Sequence, residues 1–183
     1  MVAAIPDDSS EGDVMTTPKA VFIALVVLAL AQVGYYYPQL PDTVASHFDG
    51  AGHANGWSSK AEFFGIMLGM MALMAAVFLA IPKMISSVPT SCISLPHRDH
   101  WLSEEHRAET IRFIDDRMSW FGVATILLIL ATTQFTIDAN LRSHPELPVQ
   151  FMWVFWAYLG FSLLWTIQFV QHFARVRKRG EVV

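Results

Sequence analysis

The chain has 183 residues, of which 54% are hydrophobic and only 15% charged, and its mean hydropathy is +0.40. This is too much apolar surface and too few charges for an ordinary soluble domain, so a membrane class follows. The net charge of −4 and a single cysteine, Cys92, leave no broad basic surface for nucleic acid and no intramolecular disulfide.

In chain order, residues 1–17 hold Asp7, Asp8, Glu11 and Asp13 with no Lys or Arg. This is the reverse of a secretory leader, and the segment is expected to be a disordered acidic tail before a retained helix. Four apolar runs follow, at residues 20–37, 63–81, 120–137 and 151–170. Each is long enough to cross a hydrocarbon core of about 30 Å at roughly 1.5 Å per residue. The expected fold is an all-α integral membrane protein with four transmembrane helices and an extra interfacial amphipathic helix. Residues 18–172 form its membrane domain and residues 173–183 a basic tail.

Between the first two runs lies a polar, Gly-rich segment of 23 residues, 38–60, with two His, two Asp, a Trp and three Gly. A plain helix connection needs only a few residues, so the excess points to a built site or docking surface. His47, Asp49 and His53 offer two imidazoles and a carboxylate, ligand types that suit a divalent transition metal. Hydrogen bonding within the turn is the competing reading.

In the second run Gly65 and Gly69 form a small-x-x-x-small pair that permits close helix approach, and Met67, Met70, Met71 and Met74 read as packing. From Pro82 to Leu102 the three prolines Pro82, Pro89 and Pro96 oppose regular helix. A helix is expected to restart with Ser103 as N-cap, Glu104 and Glu105 in its first turn, and Ile111, Ile114, Met118 and Phe121 on one face. Its polar edge carries Arg107, Glu109, Arg112, Asp115, Asp116 and Arg117, a solvated face or a docking surface. Ahead of it, His97-Arg98-Asp99-His100-Trp101 with His106 reads as a structural clasp at the headgroup layer, with Arg98, Asp99, Trp101 and Arg107 as its interface residues.

Within the last two runs ionisable groups are scarce, with Asp138 and His172 near the ends. Gln32, Thr125, Thr132, Thr133, Gln134, Thr136 and Gln168 are expected to join helices by hydrogen bonds. Ten of the twelve Lys and Arg residues fall on one side of a four-span topology, and only Lys60 and Arg142 on the other. Both termini and the 82–117 connection are therefore expected to be cytoplasmic, with the 38–60 segment facing outward. Tyr35, Tyr36, Tyr37, Trp120, Trp153 and Trp156 flank the spans as interfacial aromatics do. The tail from Arg175 to Arg179 suits contact with anionic lipid. There is no Walker loop, no Gly-x-Ser-x-Gly elbow and no His-Glu-x-x-His pair.

Leu40-Pro41-Asp42, then His47-Phe48, Gly52 and Trp57-Ser58-Ser59-Lys60, resemble a bacterial membrane family known as domain of unknown function 1648. That module is also found in SdpI-type toxin-immunity proteins. Leu95-Pro96-His97-Arg98-Asp99-His100-Trp101-Leu102, with Glu105 and Arg107, resembles the family's later motif, with His97 and His100 in place of its usual Asn and Tyr. The resemblance implies a multi-pass protein of the bacterial inner membrane and no defined reaction.

The function expected is non-enzymatic: an outward-facing binding or protective loop, SdpI-like, with His47, Asp49 and Trp57 as ligand-binding residues and Lys60 as an anion or headgroup contact. One alternative is an accessory structural subunit whose lateral faces meet a membrane-protein partner or a pigment-bearing complex. The other is a metal-dependent membrane enzyme built on His47, Asp49 and His53.

Overall fold

The computed structural model describes residues 17–175, with side chains at all of these except 79, 81–83 and 86. The acidic N-terminal stretch and the basic tail beyond Arg175 lie outside the described residues. The chain forms α1 (Thr17–Tyr36), β1 (Thr43–Phe48), β2 (Ala54–Ser59), α2 (Lys60–Ser87), α3 (Arg98–Trp101), α4 (Arg107–Asn140) and α5 (Val149–Ala174). Helices α1, α2, α4 and α5 are each long and apolar enough to cross a membrane. The all-α membrane architecture therefore holds, with one small β-hairpin added where the sequence reading placed a loop.

Helix α4 is the hub, with α1 and α2 packed along it and α5 resting on it more lightly. Phe22 and Ala29 of α1 and Met67, Met71 and Phe78 of α2 interlock with Val123, Ile126 and Leu130 of α4. The close approach occurs at Gly122, where an added Cβ would lie 2.9 Å from the Phe78 ring and 3.3 Å from that of Phe22. Around Gly65 and Gly69 nothing lies within 4 Å of such a Cβ, so that small-residue face is open among the described residues. Lipid supplies no hydrophobic drive for one helix to prefer another, so this interlock and polar cross-links select the partners. Gln32 donates to Gln134 at 2.9 Å, Gln134 donates onward to Tyr36 at 3.1 Å and to Asp138 at 2.7 Å, and Thr125 meets Tyr158 at 2.8 Å.

The end away from the hairpin departs from expectation in three places. Helix α2 continues past Pro82 to Ser87; a proline in a helix removes one donor and strains one turn, which a long packed helix can absorb. Helix α4 begins at Arg107 rather than after Ser103, because residues 103–106 form a turn in which the Ser103 hydroxyl donates to the His100 carbonyl at 3.0 Å and lies 2.9 Å from His106 Nδ1. Among the described residues the expected amphipathic segment is not set apart as a helix of its own but runs directly into the third span. Its residues are the start of the 34-residue α4, which at 1.5 Å per residue spans about 51 Å, well beyond a core of about 30 Å. The charged end therefore projects past the apolar layer.

Side chains from the second motif tie this end together. The Arg107 guanidinium donates to the carbonyls of Val88 at 3.3 Å and Ile85 at 3.5 Å, which meets the negative end of α2. The Trp101 indole donates to the Phe173 carbonyl at 3.0 Å, and buried Thr110 donates to the Trp101 carbonyl at 2.8 Å. Arg98 reaches the Ser91 carbonyl at 3.4 Å and lies 3.5 Å from Asp99. Lys19 and Asp115 pair at 2.8 Å between α1 and α4. These contacts clasp helix to helix.

Candidate functional site: a hairpin-roofed cavity

Strands β1 and β2 pair antiparallel, with Thr43 opposite Ser59, Ala45 opposite Trp57 and His47 opposite Gly56, and the register shifts after Ala45. The hairpin forms because both of its ends are held. At its base the Lys60 amide donates to the Asp42 carbonyl at 3.0 Å. The Lys60 ammonium pairs with the Asp42 carboxylate at 3.0 Å, donates to the Leu40 carbonyl at 3.4 Å, and lies over the Tyr37 ring. The Leu40-Pro41-Asp42 and Trp57–Lys60 stretches are thus the two halves of one clip. Ser59 accepts from the Glu62 amide at 3.1 Å and caps α2.

In its middle the hairpin is seated on α4. Val44 and Ala45 are fully buried, and both peptide groups of Ala45 are taken up by one side chain. Asn140 Oδ1 accepts from the Ala45 amide at 2.6 Å, and Nδ2 donates to the Ala45 carbonyl and to the Thr136 carbonyl, each at 2.9 Å. A carboxamide can do this because it presents an acceptor and a donor side by side, as a neighbouring strand would.

At the tip, Asp49 Oδ1 accepts from the amides of Ala51 and His53, both at 2.9 Å, and His53 Nδ1 lies 3.5 Å from Oδ2. Gly52 takes φ +91 and accepts from the Leu147 amide at 2.9 Å. A Cβ there would lie 2.7 Å from the Leu147 oxygen, so both conformation and space demand glycine. His53 also bridges to Glu146, which couples the tip to the connection between α4 and α5.

The His53 and Ala51 amides, with His53's charge when protonated, hold the Asp49 carboxyl below the ordinary carboxylate range. A depressed folded value means the turn's stabilisation is complete above the unfolded aspartate value of about 3.9 and is lost as pH falls through the folded one. Protection of the Ala51 and His53 amides, taken as exchange relative to the intrinsic rate at each pH, is accordingly expected to stay constant from neutral pH down to that point and to fall below it. Asp49→Asn should remove the acid step.

Beneath this roof is a cavity of about 400 Å³. His47, Asp49 and Gly50 to Gly52 overhang it, Phe63 and Met67 of α2 and Phe151 and Met152 of α5 form apolar walls, and Thr132, Thr133 and Thr136 of α4 form the back. Each threonine hydroxyl donates within its own helix, Thr132 and Thr133 to the Ile129 carbonyl at 3.0 and 2.7 Å and Thr136 to the Thr132 carbonyl at 3.0 Å. Thr133 also contacts the Met67 sulfur. With their protons committed, the hydroxyls offer the cavity acceptor lone pairs. The back wall therefore suits a ligand that brings hydrogen-bond donors.

The residues expected from sequence separate here. His47 and Asp49 line the cavity; His53 stands beside Asp49 but outside the lining. Trp57 is 56% exposed on the hairpin's outer face, and Lys60 is engaged in the clip. Among the described residues no group of three or more His, Cys, Asp and Glu is placed to hold a metal ion, so His47, Asp49 and His53 do not converge as one ligand set. Nothing in the sequence marks Asn140, and of Thr132, Thr133 and Thr136, expected to join helices, only Thr133 meets another helix, at the Met67 sulfur, while all three line the cavity. Their i, i+1, i+4 spacing was the available signal for a shared polar face.

The fold and this site define a multi-pass membrane protein with an extramembrane hairpin seated on its helix ends. Residues 24–72, comprising most of α1, the hairpin and the first half of α2, match the family model for a domain of unknown function, DUF1648. The first motif lies within that match and the second, near Trp101, beyond it. No curated protein and no solved structure matches the chain.

Proposed function

We propose that this is a non-enzymatic binding module of the bacterial inner membrane, with both termini cytoplasmic and the hairpin facing outward, protective or sensing in the SdpI-like sense. The observation that carries the reading is the cavity itself: an acceptor-rich back wall between apolar sides, under a roof bearing an ionised Asp49. That combination suits a small amphipathic ligand with amine, amide or hydroxyl donors, or a peptide segment of that chemistry. His47 and Asp49 would meet its polar end, and Phe63, Met67 and Met152 its apolar part. The clip at Lys60 and the anchor at Asn140 position the roof.

The test is extraction and mass spectrometry of small molecules retained by the full chain after purification in mild detergent, beside Thr132→Trp, which fills the cavity. A donor-bearing amphipathic compound kept at near-stoichiometric level by the wild type and lost from Thr132→Trp supports the proposal. The same compounds at the same level in both proteins would overturn it.

A second reading, an accessory subunit, is favoured by α5. None of its apolar window is buried inside the chain, and Trp153, Trp156, Leu163 and Leu164 are exposed. Stoichiometric protein partners in the same preparation would move attention to that face.

A further inference from the structure

On the side away from the hairpin, α4 and α5 leave a second groove, of about 600 Å³, that has a polar head and an apolar body. The head is formed by Arg117 and Gln168, and the body runs past Trp165 to Ala124, Leu127 and Leu164. Arg117 lies 23 residues before Asn140 in one continuous helix, or about 35 Å along its axis. With Asn140 at the hairpin-side surface, that rise places Arg117 at the opposite headgroup layer of a core about 30 Å thick.

The guanidinium is exposed and lies over the Phe113 ring, 5.2 Å from its centroid. Among the described residues it has no ion-pair partner, whereas Asp115, two positions earlier, is engaged by Lys19. Trp165 lines the same groove. The groove thus asks for an anion with several oxygens at one end and a hydrocarbon chain at the other, oriented along the membrane normal.

We propose that this groove is a binding site for an anionic phospholipid, with its phosphate at Arg117 and Gln168 and one acyl chain along Ala124, Leu127 and Leu164. Basic pockets between helices at the headgroup level recognise lipid in this way, through the positive charge they hold beside the phosphate. The lipid would fill the space between α4 and α5, the lightest of the main helix contacts, and so fasten α5 to the hub.

Native mass spectrometry of the full chain in mild detergent, titrated with phosphatidylglycerol or phosphatidylcholine, tests this. The wild type is expected to retain one phosphatidylglycerol in preference to phosphatidylcholine. Arg117→Gln should lower phosphatidylglycerol retention about fivefold and leave phosphatidylcholine unchanged, while Arg117→Lys and the off-groove Arg112→Gln should each stay close to wild type. Unchanged retention in Arg117→Gln overturns the proposal. So does an equal loss in Arg112→Gln, which would mean a diffuse basic surface, or in Arg117→Lys, which would mean that charge is not what is read. Displacement by soluble glycerol phosphate at the same concentration would show a free-phosphate site and overturn the lipid assignment.

Discussion

Asn140→Ala is expected to release the hairpin while leaving the four helices in place. The substitution removes three hydrogen bonds and leaves the buried Ala45 amide and carbonyl without their partner. Each orphaned buried group costs about 1–3 kcal/mol, so with two of them local opening should become easier by about 2–6 kcal/mol. Towards the lower end of that range, amide exchange and protease cleavage within residues 43–59 should rise on the order of a hundredfold. Lys60→Met is the informative comparison. Its partner carboxylate on Asp42 is 97% exposed, and such pairs contribute about 1 kcal/mol or less. Equal protection in Asn140→Ala and wild type would show that the bulged strand is held by something else, and the cavity's roof would need another account.

The second large effect is expected at Gly122. Valine there places a Cβ 2.9 Å from the Phe78 ring at Cγ, the ring atom nearest the backbone and so the least able to move away. Overpacking of this kind costs about 1–3 kcal/mol, and the upper end is expected because Phe22 closes the other side at 3.3 Å. A clear fall in the thermal midpoint of the purified protein should follow, with α1 and α2 loosened from α4 together. Gly65→Val and Gly69→Val, with nothing within 4 Å, should stay near wild type. If all three variants behave alike, Gly122 is not the point of closest helix contact.

The contrast between these glycines shows where sequence reasoning ends. Gly65 and Gly69 carry the spacing associated with helix pairing, yet Gly122, which has no such companion, is the one that is packed. Spacing identifies a face that permits approach; which face a neighbour takes depends on where Phe22 and Phe78 arrive from two other helices. The same holds for the polar residues. Gln32, Thr125 and Gln134 join helices as their chemistry implies, and Thr133 does so through the Met67 sulfur, while Thr132 and Thr136 bond within α4 and turn acceptors toward the cavity.

Span boundaries were legible only in part. The apolar runs mark the lipid-exposed lengths because every residue in the hydrocarbon must be compatible with it, but a helix that leaves the lipid has no such constraint. Hence α4 begins at Arg107, 13 residues before the third apolar run, and α2 passes through Pro82 to Ser87. The 38–60 segment was marked as unusual by its length and composition, and its strands were not legible. Gly, His, Ser and Asn dilute the alternation that reveals a strand, and these strands exist because Lys60 clips their ends and Asn140 seats their middle.

By itself, the sequence determined the class of this protein, its four spans and the likeness of its first motif to DUF1648, since these depend on local composition and short patterns. Tertiary structure alone decided that β1 sits on Asn140, 95 positions away, that the hairpin tip pairs with Leu147, and that His47 and Asp49 roof a cavity whose back wall is on α4. Those relations join segments whose separation along the chain carries no mark of their contact. They arise because buried peptide groups beside the membrane must find partners, and the fold settles which side chain is within reach.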